Sequence, residues 1–162
     1  MKKLLSGSVV FVTIMGMSSV LVAQMAAWEN IKVIASSRAD VRRILGQADA
    51  GSISEIYSVK DGTIDVDYSY GKCTDKLNSG WDIPEDVVVA YRFIPLTNIK
   101  FSTLKLKHRN FKTIRESPDV PDLVTYINRE EGVRYVVDKP TDLLETIGFF
   151  PSTRYDRLRC NL

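Results

Sequence analysis

Hydrophobic positions in this chain follow two rhythms. In SSRADVRRILG, from Ser36 to Gly46, Val41, Ile44 and Leu45 fall at i, i+3 and i+4, the single apolar stripe of a short helix. Ser36 or Ser37 can cap its start, and Ser37-x-x-Asp40 is a near version of the capping box, with Asp in place of Glu or Gln. Arg42 and Arg43 put positive charge in the later turns, and Gly46 is the expected stop. A helix this short does not persist alone in water, so it needs a partner surface.

The rest of the chain offers strands. Trp28 to Ile34 is a lead-in with a brief strand predicted at Ile31–Ile34, and Gln47 to Ser54 reads as a loop. Asp61-Gly62 is a type I′ turn signal. Counting outward from it pairs Val59 with Ile64 and Tyr57 with Val66 on one face, and Ser58 with Asp65 and Ile56 with Asp67 on the other. The second strand continues through Tyr68 and Tyr70, and Gly71 to Pro84 is a long loop holding Cys73 and Trp81. Glu85 to Ile94 is β-branched and aromatic on both faces, as a central strand would be, and Pro95 ends it. Thr97 to Arg109 fits a helical turn or a short strand. Phe111 to Arg115 predicts a short strand, 123–127 and 133–137 a hairpin across NREEG, and 143–149 a last strand before a tail that turns back to Cys160. The expected architecture is α+β: one short N-terminal helix packed on an antiparallel sheet of about six strands. Val41, Ile44 and Leu45 should meet the hairpin face of Tyr57, Val59, Ile64 and Val66.

Composition changes the picture first at the N-terminus. Lys2 and Lys3 precede an uncharged apolar or small run from Leu4 to Val22, and Leu21-Val22-Ala23 ends on a small residue. This is the form of a secretory signal peptide, residues 1–23, cleaved near Ala23; an uncleaved anchor is the alternative. Residues 24–162 are then one domain, exported to a periplasm or secreted. The leader holds two of the 22 basic residues and none of the 20 acidic ones, so the remainder is neutral. That removes any global electrostatic case for nucleic acid or anionic lipid, and no membrane association is expected after cleavage. Cys73 and Cys160 remain, and an even count in an exported protein favours a disulfide.

The lead-in, the capped V-x-x-x-L-G helix, the loop and the Tyr-containing hairpin resemble the small outer-membrane SmpA/OmlA-like domain and repeats of the β-lactamase-inhibitor-protein type. Ser37, Val41, Leu45, Gly46, Tyr57 and the Val59/Ile64 hairpin carry the likeness, over roughly residues 31–70. The usual Gly before the helix, the Pro soon after it and a lipoprotein Cys are lacking. The resemblance implies an envelope or secreted protein-binding scaffold and transfers no binding residue.

Candidate chemistry is sparse. His108 is the sole histidine, and its neighbours Lys107 and Arg109 mark a solvated stretch. A Cys73–His108 dyad would need a free thiol. Asp65 and Asp67 project from one strand face and could bind a cation, form part of a binding surface with Trp81, Tyr68 and Tyr70, serve acid/base chemistry, or be an ordinary solvated face. Trp81 with Tyr68, Tyr70 and Tyr91 could form a recognition patch or pack the core. Arg154, Arg157 and Arg159 form a basic tail, solvated or turned toward an acidic partner. No G-x-S-x-G, P-loop, H-E-x-x-H or C-x-x-C is present, and no cofactor or metal is expected. The leading expectation is a non-enzymatic exported domain binding a protein or envelope component through one sheet face or the 71–84 loop. The alternatives are a small hydrolase using Cys73 or the Asp65/Asp67 pair, and a structural envelope protein.

Overall fold

The computed structural model describes residues 28, 30–49, 54–74, 80–104, 106, 111, 113–116, 120 and 122–160. The expected leader and His108 lie outside these. Helix α1 is Arg38–Leu45. The strands are β1 (Ser54–Val59), β2 (Gly62–Tyr68), β3 (Val88–Pro95), β4 (Thr113–Glu116), β5 (Leu123–Asn128), β6 (Val133–Asp138) and β7 (Leu143–Phe149). They form one antiparallel sheet in the order β1-β2-β3-β7-β6-β5-β4, seven strands against the six or so expected. The molecule is therefore mostly β. The chain runs out through β1, β2 and β3, crosses to the far edge at β4, and meanders back until β7 lies beside β3. That seam pairs Tyr91 with Phe149, Arg92 with Gly148 and Phe93 with Ile147.

Side-chain alternation sends one set of residues into a core and the other to the opposite face. Tyr57, Ile64, Val66, Tyr91, Phe93, Tyr135 and Ile147 are buried in one cluster with Val41 of α1, and Ile44, Leu45 and Val59 pack partly buried against it. The helix boundaries follow the local chemistry. Ser37 accepts from the Asp40 backbone N–H, the Asp40 carboxylate accepts from the Ser37 N–H, and the chain turns away at Gly46. The ambiguous segment after β3 is a 3-10 turn, Phe101–Leu104. Phe101 stacks on Tyr126 at 4.8 Å between ring centroids, so packing rather than periodicity decides its shape.

Two local expectations are corrected. The segment 31–34 is a turn, not a strand: Ile34 has φ 66° and donates its N–H to the Val88 carbonyl at 2.7 Å. The first hairpin is closed by Lys60-Asp61, so Val59 pairs with Gly62, Tyr57 with Ile64 and Ile56 with Asp65, two residues from the expected register. The even shift keeps every side chain on its expected face. Neither Lys60 nor Asp61 takes the positive φ a type I′ turn needs. Gly62 is glycine for a different reason: a Cβ there would strike the Phe93 ring and the Ile94 carbonyl of β3.

The outer edge of β1 is not bare. Asp49 donates its N–H to the Ile56 carbonyl at 2.8 Å, and its carboxylate accepts from the Ser58 N–H at 2.6 Å.

Candidate functional site

Charged side chains gather in two places, on opposite faces of the sheet. The first cluster is buried. The Glu55 side chain, on β1 and pointing to the core face, has no solvent exposure. Its Oε1 accepts from Arg38 Nη1 at 3.2 Å and from Arg42 Nε at 3.1 Å, and also from Arg42 Nη2. Its Oε2 accepts from the Tyr68 hydroxyl at 3.0 Å and from the Tyr57 hydroxyl. The Arg38 guanidinium lies 4.3 Å from the Tyr68 ring centroid and also bonds Asp86 at 2.9 Å. Burial works to raise the Glu55 carboxyl, but the hydrogen bonds from Arg42, Tyr57, Tyr68 and Arg38 outweigh it and hold it at about 2. Burial pushes the Tyr57 and Tyr68 phenols up, so both remain hydroxyl donors. Every polar group in this cluster faces another, which ties α1 to the first hairpin.

The second cluster is open and lies on the far face, beside the C-terminal tail. Register places Asp65, Arg92, Gly148, Arg134 and Ile127 in one row across β2, β3, β7, β6 and β5. Arg92 bonds Asp65 Oδ2 through Nε at 3.0 Å and Nη2 at 2.6 Å, while Asp65 Oδ1 is buried without a partner among the described residues. Desolvation and the Asp65 charge push Asp67 up, against the pull of Arg92 and Arg134. Arg134 reaches along the row because residue 148 has no side chain. A Cβ there would sit 2.6 Å from Arg134 Nε and 2.9 Å from its Cγ.

Beyond Arg134 the tail borders an open cavity of about 390 Å³, lined by Arg129, Arg134, Arg159, Asp156, Ile127 and Phe150 among others. Its walls are fixed by backbone bonds. Phe150 N–H donates to the Gly132 carbonyl at 2.9 Å and Thr153 N–H to the Arg129 carbonyl at 3.1 Å. The 3-10 turn Thr153–Leu158 then carries the chain to Arg159, whose guanidinium lies 5.0 Å from the Trp81 ring centroid. Cys160 pairs with Cys73, Cα atoms 5.4 Å apart, closing a loop of sequence separation 87. In the chain-entropy account such a crosslink contributes roughly 4–5 kcal/mol.

The residues singled out from sequence scatter across these regions. Asp65 and Asp67 share a face as expected, but Asp65 is ion-paired to Arg92 and neither acid lines the cavity beside the tail. Tyr68 and Tyr91 are 2% and 5% exposed, which removes them from any recognition surface; the period-2 alternation turns them inward with Val66 and Phe93. Tyr70 is 40% exposed, and Trp81 is half-buried beneath Arg159. Cys73 is in a disulfide and is not a free thiol. Arg159 stood out as part of a basic tail, whereas Arg129 and Arg134 did not. The outward position of Arg134 in V-R-Y-V-V, opposite a glycine of the next strand, was the available signal. Among the described residues, no group of three or more His, Cys, Asp or Glu side chains is arranged to hold a metal ion. No protein-family model matches the chain, and no curated protein or solved structure matches it significantly.

Proposed function

We propose that this chain is an exported, non-enzymatic binding domain that engages a protein or cell-envelope component through the far face of its sheet. The observation that carries the reading is the arginine-lined cavity beside the disulfide-anchored tail: Arg129 and Arg134 have no ion-pair partner among the described residues, while Arg159 shares the single acid Asp156 at 3.5 Å. Cations of this kind on a fixed framework recognise an anionic partner. In this reading residues 1–23 are a cleaved leader, and α1 lies on the opposite face of an α+β sandwich, leaving the far face open. The disulfide and the lack, among the described residues, of a helix long and apolar enough to cross a membrane are consistent with export.

The test is capture from the native envelope. The disulfide-bonded protein and its Arg134→Glu/Arg159→Glu variant are immobilised side by side, and bound material is identified by mass spectrometry. Enrichment on the wild type that the variant loses supports the reading. Equal enrichment on both, or none on either, overturns it.

A further inference from the structure

The cavity is chemically lopsided. Three arginines, Arg129, Arg134 and Arg159, line it with one carboxylate, Asp156, and Arg134 also lies in the field of Asp67. A surface arginine with water on all sides needs no partner, but here the arginines line one concavity together with Ile127 and Phe150. Concentrating them costs mutual repulsion that a bound anion relieves. All three cations are arginines. Their planar forks suit the oxygens of a carboxylate or phosphate in pairs, which an ammonium does not. Thr153 also lines the cavity, and its hydroxyl can donate a neutral hydrogen bond. A phosphate monoester presents up to two negative charges and three acceptor oxygens on one compact centre, more than a carboxylate offers to a cluster of arginine forks. The apolar walls would seat its organic part, and the volume is that of a small-ligand site.

We infer that this cavity binds a phosphate monoester, with the phosphoryl oxygens among Arg129, Arg134 and Arg159 and the organic group on Ile127 and Phe150. The inference rests on the reading of the far face as the binding surface and adds the class of ligand. Such a group reaches an exported domain as a small soluble ester or as a lipid headgroup, and the experiment separates the two.

Phenyl phosphate is titrated calorimetrically into the disulfide-bonded protein at low salt, with benzoate as the singly charged comparison. Saturable binding of phenyl phosphate is expected, with benzoate weaker by about tenfold or more. Arg134→Gln and, independently, Arg129→Gln on the exposed β5–β6 turn should each weaken phenyl phosphate about tenfold or more. Arg43→Gln, an exposed cation on α1, should change nothing. Phosphatidylcholine vesicles doped with phosphatidic acid supply the other arm. Vesicle binding that phenyl phosphate displaces identifies a headgroup, and phenyl phosphate binding without vesicle binding identifies a soluble ester; either supports the inference. No saturable binding of phenyl phosphate, equal affinity for benzoate, or equal losses in Arg43→Gln overturns it. Envelope capture that still depends on Arg134 and Arg159 in a protein that ignores phenyl phosphate overturns the ligand class alone and leaves the binding-domain reading standing.

Discussion

The same side chain does opposite work on the two faces of this sheet. On the core face, Arg38 and Arg42 converge on one buried carboxylate and two tyrosine hydroxyls, and every charge there has its answer. On the far face, Arg129, Arg134 and Arg159 line a concavity with one carboxylate among them. The first arrangement consumes its own electrostatics to hold a helix against a hairpin. The second carries fewer counter-charges of its own. The contrast shows that counting arginines says little; the two clusters differ in how much of the counter-charge is already built in.

That contrast can be broken at several points, the strongest first. The tail side of the far cluster is anchored by the Cys73–Cys160 crosslink, so cutting it should release Arg159. Cys73→Ser/Cys160→Ser is expected to lower unfolding free energy by as much as roughly 4–5 kcal/mol in the chain-entropy account, measured by urea denaturation, and to weaken anion binding by releasing Arg159. A stability loss with unchanged binding would show that the tail does not form the site.

The near cluster should fail through its anion. Glu55→Ala removes the acceptor shared by two guanidiniums and two buried hydroxyls, leaving Arg38 its bond to Asp86. Losing one partner of a buried ion pair costs about 3–5 kcal/mol, and the partial solvent access of Arg38 and Arg42 puts this case at the lower end. Anion binding on the far face should survive in whatever fraction remains folded. A denaturation midpoint close to wild type would mean that Glu55 is not holding α1.

Acid tests the same carboxylate without mutation. Its folded value, about 2, is below its ordinary 4.5. The stabilisation is therefore fully present above the ordinary value and is lost as pH falls from there through about 2. Stability followed by circular dichroism should decline across that window in wild type and less steeply in Glu55→Gln. Parallel curves would assign the decline to other acids.

The smallest expected effect belongs to the far face. Arg129→Gln, which removes a cation without a built-in partner, should change stability by no more than about 0.5 kcal/mol in either direction, while Gly148→Ala should displace Arg134 and weaken anion binding. A large stability loss in Arg129→Gln would place the far cluster in the same structural class as the near one and erase the distinction.

Much of the fold was legible in the sequence because short-range chemistry wrote it. Ser37, Asp40 and Gly46 mark the ends of α1, and strict alternation in β1 and β2 assigned each side chain its face even where the register was displaced by two. What escaped was set by contacts distant in sequence. Gly62 looks like a turn residue, and only the Phe93 ring from β3 reveals that it is a packing residue. Glu55 looks like an exposed strand acid until α1 is laid over it, since its partners Arg38 and Arg42 belong to a different element. The cavity needed the tail, the β5–β6 turn and the β7 glycine together, and no local pattern announces an assembly of three segments. The Cys73–Cys160 pair was legible because two cysteines admit one intramolecular pairing.

The contact made by Asp49 bears on how the molecule behaves in a crowd. A strand at the margin of a sheet is ordinarily a template on which a neighbouring copy can add itself, and repeated addition gives fibres. Here a loop residue supplies one donor and one acceptor in the positions a foreign strand would use, at the midpoint of β1. That edge is therefore occupied at its midpoint by the chain's own amide and carboxylate, which leaves less of β1 open for a second copy to pair with.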